Sequence, residues 1–171
     1  MFALTDAAGK PVGLTQTGAG RYTAGGNNTQ FTTSGGTAMI TGLTAGTYTL
    51  TEVSTPGAGY AGMEPETLQL TASATVTVTN VPTEITITKV DGLTGEALSG
   101  MEFCLLDESG SRVSVKKDGG SYRPAADGSA VMTTDTNGRI HVIGLPVGTY
   151  SVEESTHPGY AALSASPQFT L

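Results

Sequence analysis

The 171-residue chain has no tryptophan, one cysteine and two histidines, and only 6% of it is aromatic. The lone Cys104 cannot form a disulfide within the chain, so no framework of that kind braces it. Cys104 alternates with Phe103 and Leu105, either as a buried small hydrophobe or as an outward thiol, and no paired base marks it as a nucleophile. His141 and His157 lack the spacing of metal ligands, and neither a metal nor another cofactor is expected. Charged residues make up 13% of the chain, eight basic against fifteen acidic, for a net charge of −7. The basic residues are scattered, which excludes a patch for nucleic acid or an anionic membrane. No stretch reaches the ~20 apolar residues of a membrane-spanning helix, and no signal-peptide pattern opens the chain. No glycine-rich phosphate loop follows a strand; "GAGRYTAGGNN" reads as loop composition only. Helical periodicity is missing throughout.

What the chain does have is glycine, 24 residues of it, and much threonine. That mixture suits short strands joined by tight turns. "ATVTVTN" (residues 74–80), "EITITKV" (residues 84–90), "TYTLTEV" and "TYSVEES" alternate apolar residues with Thr or Ser. Period-2 alternation predicts half-buried strands. Turn signals such as "DAAGKP", "DESG", "DTNG" and "TPGAG" separate them. Strands at this spacing predict an all-β chain built as antiparallel β-sandwiches. "TTDTNGR", around Asp135 and Asn137, carries oxygens of a kind that calcium uses, but a hairpin turn accounts for it.

The chain also repeats itself. "FALTDAAGKPV" from Phe2 returns as "FCLLDESGSRV" from Phe103, and "GGTAMITGLTAGTY" returns as "NGRIHVIGLPVGTY". A repeat of this length is a whole small domain and not a solenoid unit. Two tandem domains are therefore expected, at residues 1–82 and 83–171, with almost no linker at "TNVPTEIT".

Applied to polar residues, the same period gives a less ordinary result. Ile85, Ile87 and Lys89 share one strand face, as do Tyr150, Val152 and Glu154, and as do Tyr48, Leu50 and Glu52. Val76, Val78 and Asn80 repeat the pattern with an amide at the end. A lysine, two glutamates and an asparagine thus fall on core-facing positions, where isolated charges are costly and need partners or altered protonation. A neutral amine is a nucleophile, and a neighbouring glutamate can carry protons to and from an amide. The set suits an internal Lys–Asn isopeptide bond with release of ammonia, with Lys as nucleophile, Asn as electrophile and Glu52 or Glu154 as proton shuttle. Plainer readings are a bulge that turns Glu154 outward beside Glu153, and a Lys89 that snorkels to water.

"ITITKVD" with "GLTGEALSGMEFCLLD", the "GLPVGTYSVEES" box and "VTVTNVP" together resemble the Cna protein B-type (prealbumin-like, inverse immunoglobulin-like) domains of Gram-positive pilins and surface adhesins. The resemblance covers essentially the whole chain. It implies a non-enzymatic, extracellular stalk or pilus module anchored to the cell wall, with at most a single-turnover self-crosslink. Its partners would be neighbouring domains or pilin subunits, and possible further ones are host extracellular proteins or glycans. Position by position, Lys89 matches the reactive lysine, Asn80 the reactive asparagine, and Glu52 and Glu154 the catalytic glutamates. The first domain lacks the strand that would carry its lysine, and the second lacks the strand that would carry its asparagine. Three explanations stay open: a segment trimmed from a longer array, strands supplied by another molecule, or domains that have lost the bond. Other functions compatible with the sequence are an adhesin binding through the Gly- and Asn-rich segment Gly18 to Gly36, and an accessory sandwich of a secreted enzyme or phage particle.

Overall fold

The computed structural model describes residues 1–155, 157–161 and 165–171. They form strands and no helix, and they divide into two units: Met1–Gly57 with Ala61–Val81, and Ala58–Tyr60 with Pro82–Leu171. Each is a sandwich of two sheets.

The first unit contains β1 (Phe2–Asp6), β2 (Leu14–Gly18), β3 (Arg21–Ala24), β4 (Gln30–Phe31), β5 (Met39–Thr41), β6 (Gly46–Glu52) and β7 (Glu66–Leu70). One sheet has the order β4-β1-β6-β7 and the other β2-β3-β5. The second unit contains β8 (Glu84–Thr88), β9 (Glu102–Leu106), β10 (Val115–Asp118), β11 (Ser121–Pro124), β12 (Met132–Thr133), β13 (Arg139–Ile143), β14 (Thr149–Glu154) and β15 (Gln168–Thr170). Its sheets are β12-β9-β14-β15 and β10-β11-β13-β8. Strands β1 to β7 thus recur in order as β9 to β15, and β8 is the one strand without a counterpart among the described residues of the first unit.

Pairing is antiparallel except at β3–β5 and β11–β13, which run parallel. The sheets β4-β1-β6-β7 and β12-β9-β14-β15 are antiparallel throughout, as expected, and the other two are mixed through one parallel pair each. Alternation drives the packing. In β6, Tyr48 and Leu50 are buried; in β14, Tyr150 and Val152 are. They join Leu4, Leu14, Tyr22 and Phe31 in the first core, and Met101, Phe103, Leu105, Met132, Ile140, Val142 and Leu145 in the second. Both tyrosines brace the turn before their strand. The Tyr48 hydroxyl donates to the Thr44 carbonyl (2.9 Å), and that of Tyr150 to the Pro146 carbonyl (2.8 Å), so each ring is buried with its polar end satisfied.

Two local expectations fail for physical reasons. The glycine-rich "GAGRYTAGGNN" holds β3, because the buried Tyr22 ring draws the segment onto the core and its hydroxyl accepts from the Thr32 amide. Residues 74–80 keep their alternation, with Val76 and Val78 packed on the first core, yet form no ladder. A strand needs a neighbour to share its amides and carbonyls, and none lies alongside among the described residues.

Candidate functional site

Each unit brings one glutamate to the end of its longest strand. Glu52 closes β6 and lies opposite Phe2 on β1; Glu154 closes β14 and lies opposite Phe103 on β9. The β9–β14 register runs unbroken from Leu106 to Phe103. No bulge turns Glu154 outward, and its neighbour Glu153 takes the solvent side, pairing with Arg112 at 2.8 Å.

In the first unit, the Asn80 amide nitrogen donates to both Glu52 oxygens, at 2.9 and 2.8 Å. The Met63 backbone N–H adds a third bond to Oε2 at 3.1 Å. Three hydrogen bonds from two donor nitrogens hold the carboxylate in a single orientation, since bonds to an ionised acceptor are the stronger kind. The sequence offers no signal for the Met63 amide, which comes from a segment without periodicity.

In the second unit, Lys89 Nζ lies 2.7 Å from Glu154 Oε1. The Glu154 side chain is only 3% exposed, and that of Lys89 is 17% exposed. Lys89 aside, neither Glu154 oxygen receives a hydrogen bond among the described residues. The lysine backbone is pinned on both sides: its N–H donates to the Gly138 carbonyl (2.8 Å) and its carbonyl accepts from the Leu98 N–H (3.0 Å). Gly138 allows that approach. Its φ of 70° lies in the left-handed region, and a Cβ there would collide with the Lys89 carbonyl.

The two half-sites are complementary in content. Glu52 holds a carboxamide, with no amine among the described residues at that place. Glu154 holds an amine, with no carboxamide beside it among the described residues. Asn80 and Lys89 therefore each face their own unit's glutamate.

Other residues singled out by sequence have structural duties. The Asp135 carboxylate accepts the amides of Asn137 and Arg139, and the Arg139 amide foremost holds its pKa below the usual carboxylate range. His141 lies between the Ser121 hydroxyl (3.0 Å) and Glu84 (3.1 Å), and His157 contacts the Pro158 carbonyl. Cys104 is buried and free, and burial pushes its thiol pKa up.

The SpaA prealbumin-like fold domain matches twice, over residues 1–82 and 83–171. The chain belongs to this family. No curated protein matches it. Among solved structures, it is similar to the shaft pilin SpaA from Lactobacillus rhamnosus GG, with 26% identity over 72% of this chain and 59% of that one and a TM-score of 0.44. A streptococcal ancillary pilin shares 29% identity over 99% of this chain and 52% of its own, with a TM-score of 0.38. GBS52, the minor pilin of Streptococcus agalactiae, shares 24% identity over 78% and 57% of the two chains, with a TM-score of 0.44. The chain thus spans less than two thirds of each of these proteins.

Proposed function

We propose that this chain is a structural module of a Gram-positive surface pilus or stalk whose two sandwiches are each of the kind closed by a Lys–Asn isopeptide bond. One observation carries this reading. In both units the same strand end presents a glutamate, and that glutamate already holds one of the two reactants: Asn80 on Glu52, Lys89 on Glu154. The membership of the whole chain in the SpaA family supports the structural role.

The reaction balances without a cofactor. The neutral Lys Nζ attacks the Asn Cγ, the Nζ–Cγ bond forms and the Cγ–Nδ2 bond breaks. The glutamate takes a proton from the attacking nitrogen and delivers it to the departing one, which leaves as ammonia. In the first unit it is the amide nitrogen, the leaving group, that faces Glu52. In the second, Glu154 faces the amine that must lose a proton. Each bond would close a loop of roughly a hundred residues, which the chain-entropy account values at about 4–5 kcal/mol. Its partners would be neighbouring domains or pilin subunits, on the outer face of the cell wall.

Intact mass tests the proposal. A chain extended upstream by a strand with an inward lysine, and downstream by one with an inward asparagine, is expected to be lighter by two ammonia molecules. Glu52→Ala and Glu154→Ala should each restore one ammonia, in their own domain only. Full mass in the extended wild-type chain would refute the crosslink.

A further inference from the structure

Lys89 hangs from a turn. Residues 135–139 lead from β12 into β13, and the Gly138 carbonyl in that turn accepts the Lys89 N–H at 2.8 Å. The chain has asparagine at Asn27, Asn28, Asn80 and Asn137, and only Asn137 precedes a glycine. That neighbour matters chemically. A backbone nitrogen can attack the carboxamide of the residue before it, and a side chain on the attacking residue obstructs the approach. Glycine carries none and leaves the backbone free to turn toward the amide. Asn137 is exposed, so water reaches the pair.

The turn restrains this chemistry. The Gly138 N–H donates to the Asp135 carbonyl (3.0 Å), and the Asp135 N–H to the Arg139 carbonyl (2.9 Å). The Asp135 carboxylate accepts the Asn137 and Arg139 amides at 2.8 and 2.9 Å. The attacking nitrogen is thus occupied, and reaction waits on opening of the turn, which exposed turns undergo at small free-energy cost. Gly138 itself is buried, and a Cβ there would meet the Lys89 carbonyl, the Leu98 nitrogen and the Ala97 side chain. Solvent lies on the Asn137 side of the turn and packed backbone on the Gly138 side.

We infer that Asn137–Gly138 is a self-modification site, guarded by Asp135, whose isoaspartyl product frees Lys89 from Glu154. The Gly138 nitrogen attacks Asn137 Cγ and gives up its proton. The new N–Cγ bond forms, the Cγ–Nδ2 bond breaks, and the side-chain nitrogen leaves with that proton as ammonia. Water then opens the cyclic imide. Addition at Cγ yields aspartate; addition at the backbone carbonyl carbon yields isoaspartate, whose main chain runs through Cβ and Cγ and is longer by one atom. That extra atom enters directly before Gly138, where the packed side leaves no room for a shift. The Gly138 carbonyl moves off the Lys89 N–H, and the lysine, 2.7 Å from Glu154, moves with it. This chemistry is independent of the proposed crosslink. Asn137→Gln abolishes the ammonia loss at residue 137 and leaves any loss at Asn80 in place.

The test ages the full chain in warm, mildly alkaline buffer beside a synthetic peptide of residues 133–139, TTDTNGR. Peptide mapping reads the gain of one mass unit at residue 137, and an isoaspartyl methyltransferase counts the isoaspartate. The free peptide should react fastest and the folded chain slowest. Asp135→Ala should react about tenfold faster than the native chain, the worth of one hydrogen bond to a charged group. Asp135→Asn, which keeps an acceptor in place, should fall between them. The isoaspartyl chain, separated from the rest, should show displaced Lys89 and Glu154 resonances. Fresh Asn137→Asp, with the same charge and an ordinary main chain, should leave them where they are. Residue 137 unchanged in the native and both Asp135 chains after complete conversion of the peptide would overturn the site. Equal rates in all three chains would overturn the guard. Lys89 and Glu154 unmoved in the isoaspartyl chain, or moved equally by Asn137→Asp, would overturn the release.

Discussion

Replacing Lys89 with methionine removes the charge while keeping the length and most of the volume of the side chain. Glu154 would then hold a carboxylate that is 3% exposed, 2.7 Å from where its only described partner had been. Breaking a buried pair on one side costs about 3–5 kcal/mol, because the remaining charge has neither water nor a partner. The reverse change, Glu154→Leu, leaves an ammonium that is 17% exposed and can lean toward water on its flexible stem. Its cost belongs at or below the lower end of that range. Replacing both residues deletes the attraction and the desolvation together, and such swaps are often neutral or stabilising. The cycle therefore predicts a coupling energy of at least about 3 kcal/mol, at or above the top of what contacting residues usually show. Urea unfolding followed through the methyl signals of Ile140 and Val142 would read the second unit by itself. If Lys89→Met shifts its stability by under about 0.5 kcal/mol, as surface substitutions do, the pair is solvated and the burial argument fails.

Three further outcomes are expected. Glu52→Ala should speed hydrogen exchange at the Met63 amide and destabilise the first unit by about 1–3 kcal/mol, since the acceptor of three hydrogen bonds is lost; unchanged Met63 exchange would contradict the geometry. Gly138→Ala should cost at least about 1–2 kcal/mol for the left-handed backbone alone and should displace Lys89, visible as perturbed Lys89 and Glu154 resonances. In an NMR titration, Asp107 should keep its charge to lower pH than an ordinary aspartate, because the Ser109 hydroxyl and then the Ser111 amide bond the ionised form. Its folded pKa is depressed, so its contribution to stability is present above the unfolded value and fades as pH falls through the folded one. Ser109→Ala should raise that pKa.

Much of this arrangement is written in the sequence, because a strand's period of two assigns a face to every residue. Lys89 follows Ile85 and Ile87, and Glu154 follows Tyr150 and Val152, so their common side could be read before any contact was known. What the period cannot report is the neighbour. Residues 74–80 alternate as a strand does, yet a ladder is a property of two segments, and theirs has only one. The parallel β3–β5 and β11–β13 contacts escape notice for the same reason, since nothing local sets register between strands distant in the chain. The segment around Tyr22 fails differently: glycine and asparagine count toward a loop, and one buried ring outweighs them. The Met63 amide is a backbone group, and every residue but proline carries one.

Cys104 lies within the β9–β14 pairing, opposite Glu153, and is 2% exposed. An unpaired thiol is a hazard in oxidising surroundings, where two chains can couple through it. Here the fold itself keeps the sulfur out of reach, so it can be attacked only while the second sandwich is open. A thiol-reactive dye added to the native protein would then react at the pace of that opening, a clock built into one half of the chain that needs no introduced cysteine. Held under load, a single molecule would keep one irreversible chemical mark of having yielded in this domain.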